Sequence, residues 1–133
     1  MMISTKGRYA LRVMAELACR NSEGYVSLKS VASNQDISEK YMESIISMLV
    51  KSGFVEGVRG KGGGYRLTRP PESYTLLSIL NVTEGSLAPV ACLTQDAKEC
   101  SRATECKTLP VWQKLDEIIE SYLSGVTLAD ISN

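Results

Sequence analysis

The sequence predicts a mainly α-helical fold with one small β-hairpin: a winged helix-turn-helix domain followed by a long C-terminal dimerisation helix. Two short helical patterns and a glycine-rich hairpin follow one another within residues 28–67. A late segment, residues 109–124, repeats apolar side chains at helical spacing. We therefore expect a winged helix-turn-helix domain over 1–85, a cysteine-bearing loop over 86–108, and the dimerisation helix with a C-terminal turn over 109–133.

The first two helices are predicted over Ser4–Arg20 and Leu28–Asn34, the second capped by the hydroxyl of Ser27. Basic residues in the first half of the first helix fit a solvated face and a phosphate-contacting face equally well; they are Lys6, Arg8 and Arg12. Cys19, offset from the apolar stripe of that helix, is expected to be a small packing residue.

The third helix begins after Ser38, a good N-cap, and ends at Gly53, which supplies left-handed geometry. One face is apolar, with Tyr41, Ile45, Met48 and Leu49, widened by Met42 and Ile46. The other face is polar and includes Lys40, Glu43 and Ser44. An amphipathic second helix after a short turn is the helix-turn-helix pattern, so this helix is predicted to enter the major groove.

The wing is predicted from two strands, Phe54–Val58 and Tyr65–Leu67, around a tip rich in glycine. The tip carries Arg59 and Lys61, and a tip of small residues bearing arginine suits a narrow minor groove. A phosphate-binding P-loop is excluded, because Lys61 is followed by glycines and a strand instead of Ser or Thr and a helix.

After the wing, a fourth helix is predicted over Tyr74–Thr83, and the last long helix over Leu109 or Pro110 to about Ser124. Its apolar stripe contains Val111, Leu115, Ile118, Ile119 and Tyr122, joined by Trp112 and Leu123. Such a stripe suits packing against a second copy in a two-fold dimer, with some packing inside the chain. Thr127 is predicted to cap a final turn.

Charge is divided unevenly along the chain, although the net charge is zero. Residues 1–69 hold eleven Lys or Arg against six Asp or Glu, a net of +5, whereas residues 70–133 hold four against nine, a net of −5. The basic half contains the helix-turn-helix and the wing, which fits a polyanionic partner. No long apolar run or signal peptide is present, so a cytoplasmic location without membrane contact is expected.

No histidine is present, which excludes Ser-His-Asp and Cys-His catalysis. Cys92, Cys100 and Cys106 are spaced C-x7-C-x5-C within a polar segment that cannot fold by burial alone. Three thiolates in one loop suit an iron–sulfur cluster, but Zn²⁺ or reversible disulfides remain open on spacing alone.

The chain resembles the Rrf2 family of bacterial winged-helix regulators over nearly its full length, and in particular its cluster-sensing members. The resemblance is carried by STKGRYAL at 4–11, ISEKYMESI at 37–45 and SGFVEGVRGKGGGYRL at 52–67, followed by the three cysteines and Trp112. It implies a homodimeric repressor that binds a pseudo-palindromic double-stranded operator and is not an enzyme.

The resemblance also implies which residues contact DNA. Arg59 is the expected minor-groove residue, with Lys61 beside it on the tip. Tyr41 and Glu43 are expected to work at the recognition helix, with Lys40 and Ser44 beside them. The Glu43 carboxylate can accept from cytosine N4 but repels phosphate, so its effect on sequence preference is partly repulsive.

The resemblance further implies a 2Fe-2S cluster held by Cys92, Cys100 and Cys106. The cluster would report cluster supply to genes of the cluster-biogenesis type. Cluster-sensing members place a histidine three residues after the last cysteine, where this chain has Leu109. Other members use an acidic residue near the start of the first helix of the partner subunit, where this chain has Arg8. The fourth ligand therefore stays open among Asp96, Glu99, Glu105, Cys19 and an exogenous thiol.

Two alternatives to cluster sensing are open on the sequence. A cluster-free regulator would be controlled by its thiol state or by a partner enzyme, as in relatives that respond to cysteine metabolism. A thiol redox enzyme using Cys100 and Cys106 is disfavoured, because the chain has neither a CxxC motif nor a histidine base.

Overall fold

The computed structural model describes residues 2–132, which form six α-helices and one antiparallel hairpin. The elements are α1 (Thr5–Cys19), α2 (Leu28–Gln35), α3 (Glu39–Lys51), β1 (Val55–Val58), β2 (Gly64–Leu67), α4 (Leu76–Glu84), α5 (Leu109–Gly125) and α6 (Leu128–Ile131). Short 3₁₀ turns lie at Asn21–Glu23, Pro71–Ser73 and Ala91–Leu93. The predicted mainly α-helical winged-helix fold is confirmed. None of the helices described is long and apolar enough to cross a membrane.

Side-chain caps fix where most helices begin. Ser4, Ser27, Ser38, Thr75 and Thr127 each accept a hydrogen bond from a backbone N–H three residues later. Because these hydroxyls satisfy first-turn donors that the helix leaves unpaired, the helix starts can be read locally from the sequence. At the other end of α3, Gly53 adopts a φ of 79°, as its predicted role as a helix stop requires.

The hydrophobic core joins α1, α2, α3, α4 and α6 to the base of the hairpin. In α3 the buried residues are Met42, Ile45, Ile46 and Leu49, so the predicted apolar face packs inward. Leu128 of α6 is also fully buried in this core, and the preceding residues run beside the start of α4 through the pairing of Thr127 with Thr75. By contrast, α5 contributes no buried residue.

Tyr74 corrects the predicted start of the fourth helix. Its side chain is fully buried, and its hydroxyl donates to the carbonyl oxygen of Phe54 at 2.8 Å. The hydroxyl oxygen of Tyr74 in turn accepts from the backbone N–H groups of Thr68 and Arg69, each at 3.1 Å. A buried hydroxyl needs such partners, so Tyr74 holds the base of the wing by hydrogen bonds. The helix α4 therefore begins only after Thr75.

Cys19 is a second correction, because the predicted packing residue is exposed. Its thiol lies 2.6 Å from the carbonyl oxygen of Ser132, at the end of the described chain. The inward face of α1 is instead made by Gly7, Ala10, Val13, Met14 and Leu17. Cys19 lies outside this inward face.

Candidate DNA-binding surface and cysteine loop

The wing is a four-pair hairpin whose register runs from Val55 opposite Leu67 to Val58 opposite Gly64. At its tip, the N–H of Gly63 donates to the carbonyl oxygen of Gly60 at 3.0 Å, which closes a tight turn. Arg59 and Lys61 flank Gly60 and are both exposed. The two predicted minor-groove cations therefore lie together on the tip.

The base of the wing is hydrogen-bonded to the segment that enters the helix-turn-helix. Val26 and Tyr65 exchange two backbone N–H···O bonds of 2.8 Å each. A Cβ on Gly64 would overlap the carbonyl group of Val26, so only glycine permits this approach. The position of the wing relative to α2 is consequently fixed by backbone pairing.

The outer face of α3 presents Lys40, Glu43 and Ser44, which are all exposed. Tyr41 differs, because it is half-buried and its ring meets Tyr9 edge-on at a centroid distance of 5.7 Å. The ring of Tyr41 thus supports α3 against α1.

Several cations of the basic half already have partners inside the chain. The guanidinium of Arg66 lies 2.6 Å from the Glu56 carboxylate and stacks over Tyr25 at 4.4 Å. The hydrogen bond that Arg66 donates to the Glu56 carboxylate raises the pKa of Arg66 above its ordinary value. Arg20 is similarly held by Glu23 and Glu16, and Arg69 stacks over Phe54 and Tyr74.

Arg59, Lys61 and Lys40 form no ion pair within residues 2–132. Their charges are therefore free to face an external anion, whereas Arg66 and Arg20 mainly stabilise the fold through their intrachain partners. The sequence could not separate these two groups, because the pairing depends on which strands and helices become neighbours.

The loop before α5 is a succession of single turns. Its backbone hydrogen bonds include Ala97 N–H to Thr94 O and Ala103 N–H to Cys100 O, each at 3.0 Å. Cys92 lies in the 3₁₀ turn Ala91–Leu93, and Cys106 lies three residues before the start of α5. The loop thus reaches α5 through short local turns instead of through a packed core, as its polar composition predicts.

The three loop cysteines line a single cavity of about 180 Å³. The other lining residues are Leu93, Glu99, Ala103, Leu109 and Gln113. Glu99 is therefore the one carboxylate among the sequence candidates that reaches this cavity, since Asp96 and Glu105 do not line it. Leu109, the position of the family histidine, forms part of its apolar wall.

The surroundings of Cys106 favour the thiolate form of its side chain. The hydroxyl of Thr108 lies 3.4 Å from its sulfur. Donation from that hydroxyl, and then from the backbone N–H groups of Thr108 and Leu109 at the start of α5, lowers the pKa of the Cys106 thiol. A thiolate is the ligand form of cysteine, so this environment favours metal binding.

The side chains around the cavity determine whether an iron–sulfur cluster can bind there. Within residues 2–132, no group of three or more Cys, Asp or Glu side chains is close enough together to hold a single metal ion. A cluster with two irons divides its ligands between two metal atoms, so its thiolates need not converge on one point. The donor chemistry of the cavity therefore fits such a cluster.

One contact that the sequence does not predict joins α1 to α4. The Glu84 carboxylate accepts from the backbone N–H of Ser4 at 3.1 Å and from its hydroxyl at 2.6 Å. The pairing of Val26 with Tyr65 was missed for the same reason: both contacts join residues distant in sequence. The glycine at position 64 was a usable signal for the second contact, because a close backbone approach favours glycine.

Comparison with known families decides how this arrangement is classified. Residues 3–133 match the Rrf2 family, described as an iron-dependent transcriptional regulator. This chain belongs to the Rrf2 family. The Rrf2 assignment confirms the resemblance inferred from the KGRYA and RGKGGGY segments. It also agrees with the wing and α3 described above.

Two kinds of Rrf2 regulator are similar to this chain. The transcriptional regulator CymR of Bacillus subtilis is 38% identical over 133 residues, covering 100% of this chain and 91% of the relative. The structure of B. subtilis CymR, named the global cysteine regulator, has a TM-score of 0.82 and 36% identity, covering 99% and 96% of the two chains. The structure of T. potens IscR has a TM-score of 0.77 and 40% identity, covering 98% and 85%. These relatives are named as regulators and not as enzymes, which confirms a role in transcription regulation.

Proposed function

We propose that this chain is a homodimeric, cytoplasmic DNA-binding repressor that senses iron–sulfur cluster status through Cys92, Cys100 and Cys106. It would control genes of the cluster-biogenesis type, with a 2Fe-2S cluster as its cofactor. One observation carries the proposal: the three cysteines line a single cavity directly before α5.

The DNA-binding part rests on α3 and the wing. Lys40, Glu43 and Ser44 lie on the exposed face of α3, and Arg59 and Lys61 lie on the wing tip. In this arrangement α3 enters the major groove and the tip enters the adjacent minor groove of an operator half-site. Tyr41 acts from its half-buried place by fixing the orientation of α3.

The dimer rests on the outer face of α5. Val111 is 57% exposed, Ile118 53% and Tyr122 68%, with Leu115 between them at 38%. Large apolar side chains aligned on one helix face mark an interaction surface. A two-fold dimer that pairs this face with its copy would place two reading units on two half-sites.

The loop connects sensing to the dimer through the chain itself. Cys106 lies three residues before the first residue of α5, so closure of the loop pulls on the start of the dimerisation helix. When bound, the cluster would supply thiolate-ligated irons that crosslink the loop turns. The resulting shift between dimer arrangements would change which operators are bound.

A second candidate is a cluster-free regulator controlled by thiol state or a partner enzyme. One residue of the cavity wall favours this cluster-free candidate: Leu109 offers no ligand atom where cluster-sensing members have histidine. The similarity to CymR, named a global cysteine regulator, supports the same candidate. The exposed thiols would then act as the sensor directly.

The test is to purify the protein without oxygen and to measure its visible absorbance, iron and acid-labile sulfide. About two irons and two sulfides per chain support the cluster. A colourless protein that still binds DNA after attempted reconstitution would establish the cluster-free candidate instead.

The DNA-binding part is tested by measuring DNA affinity at increasing salt concentration. The affinity should fall steeply as salt rises, and Arg59→Ala should reduce the slope of this salt dependence by about one phosphate contact.

A further inference from the structure

We infer that Glu99 supplies the fourth protein ligand of the cluster, an inference that rests on the proposed function. The cavity that contains Cys92, Cys100 and Cys106 also contains Glu99. A 2Fe-2S centre takes four ligands from its protein, and three cysteines leave one iron position to fill. The fourth ligand must therefore be another residue of this cavity that offers a donor atom.

The chemistry of the cavity wall narrows the choice. Leu93, Ala103 and Leu109 have hydrocarbon side chains and no donor atom. Gln113 offers only a neutral amide. Glu99 offers a carboxylate, an anionic oxygen that binds iron readily in other protein sites.

Glu99 is also available for this role. Its side chain is exposed and makes no hydrogen bond or ion pair within residues 2–132, so no contact must be broken when it turns to a metal. It directly precedes Cys100, and both residues already line the cavity. A Cys–Glu pair therefore sits on the same short segment of the loop.

The competing candidates lie elsewhere. Asp96 and Glu105 are exposed loop residues that do not line the cavity. Cys19 lies in a different depression, formed with Pro71, Glu72 and Ser132, and its thiol faces the carbonyl oxygen of Ser132. These residues serve as matched controls, because each has a side chain that can ligate iron but lies outside the cavity.

The experiment compares reconstituted full-length wild type with Glu99→Gln, Asp96→Asn and Glu105→Gln, all under anaerobic conditions. The readouts are iron per chain, the visible spectrum, and the rate at which a chelator removes iron. Glu99→Gln should release iron at least about tenfold faster than wild type and change the charge-transfer bands. The two control variants should behave as wild type.

A rescue variant tests position directly. In the Glu99→Gln background, Leu109→His places an imidazole on the wall of the same cavity and should restore slow iron release with a new spectrum. The inference would be overturned if Glu99→Gln released iron at the wild-type rate, or if Glu105→Gln or Asp96→Asn released iron fast. Cluster sensing would remain intact in either case. A wild-type protein that takes up no cluster would overturn both the inference and the proposed cofactor.

Discussion

Ser4 and Glu84 join the start of α1 to the end of α4, although 80 residues separate them. The carboxylate accepts from both the backbone N–H and the hydroxyl of Ser4, while that hydroxyl accepts from the N–H of Gly7. A Cβ on Gly7 would overlap the same carboxylate, so the glycine makes room for it. The end of α4, which leads toward the cysteine loop, is thereby fixed to the first helix.

Replacing Glu84 by glutamine should destabilise the protein. The charge-assisted bond from the Ser4 hydroxyl becomes a neutral one, and we expect the free energy of unfolding to fall by about 1 kcal/mol. Urea denaturation measures the change. Glu117→Gln is the control: its carboxylate lies 3.6 Å from Lys114 in an exposed pair, and such pairs contribute little. Equal effects from both variants would contradict a specific role for Glu84.

Replacing Gly64 by alanine should disturb the wing. The added Cβ would overlap the Val26 carbonyl, and the φ of 155° disfavours an L side chain. We expect a loss of about 2–4 kcal/mol in the free energy of unfolding, from strain and overpacking together. The control is Gly60→Ala, at a φ of 98° with no atom near the added Cβ, which should cost about 1 kcal/mol. If the control is as damaging as Gly64→Ala, the backbone approach to Val26 is not the cause.

Replacing Ile118 by aspartate should dissociate the proposed dimer. A carboxylate in the centre of the apolar face of α5 would have to be desolvated on association. Light scattering should then show the mass of one chain, and operator affinity should fall because two half-sites are no longer held together. Ser124→Asp, on the opposite side of α5, should leave the mass unchanged. A dimer that survives Ile118→Asp would place the interface elsewhere.

Replacing Glu43 by alanine should relax operator preference. Removing the carboxylate removes both an acceptor for cytosine and a repulsion from phosphate, so discrimination at one base pair should fall by about 1–3 kcal/mol. Affinities for an operator and its single-base variants measure this, with Glu39→Ala in the first turn as control. A uniform loss of affinity across all sequences would count against the selectivity role.

The thiol of Cys106 should have a pH-dependent reactivity set by Thr108. Because donation from Thr108 lowers the pKa of Cys106, the thiolate fraction is larger at neutral pH than for an ordinary cysteine. Thr108→Val should raise that pKa and slow alkylation at neutral pH, measured by mass spectrometry on metal-free protein. The hydroxyl makes no capping bond to α5, so the helix keeps its start. The alkylation rate of Cys100 is the internal reference, which the variant should leave unchanged. A Cys106 rate unaffected by Thr108→Val would show that the hydroxyl does not set its reactivity.

The sequence by itself determined the features that depend on near neighbours. The caps at Ser27, Ser38 and Thr127, the left-handed Gly53 and the inward face of α3 all follow from residues within a few positions. Hydroxyl capping and helical periodicity are local physics, so these predictions needed no knowledge of the rest of the chain. The glycine-rich tip with Arg59 and Lys61 belongs to the same class.

Only the tertiary structure decided the features that depend on which distant segments meet. The sequence predicts that Tyr74 is helical because its neighbours are, but its buried hydroxyl forms hydrogen bonds at the base of the wing. Among three nearby carboxylates, only the fold shows that Glu99 shares a cavity with the cysteines. Hydrogen bonding and ligand chemistry act over a few ångströms in space, and sequence spacing in an irregular loop does not fix those distances.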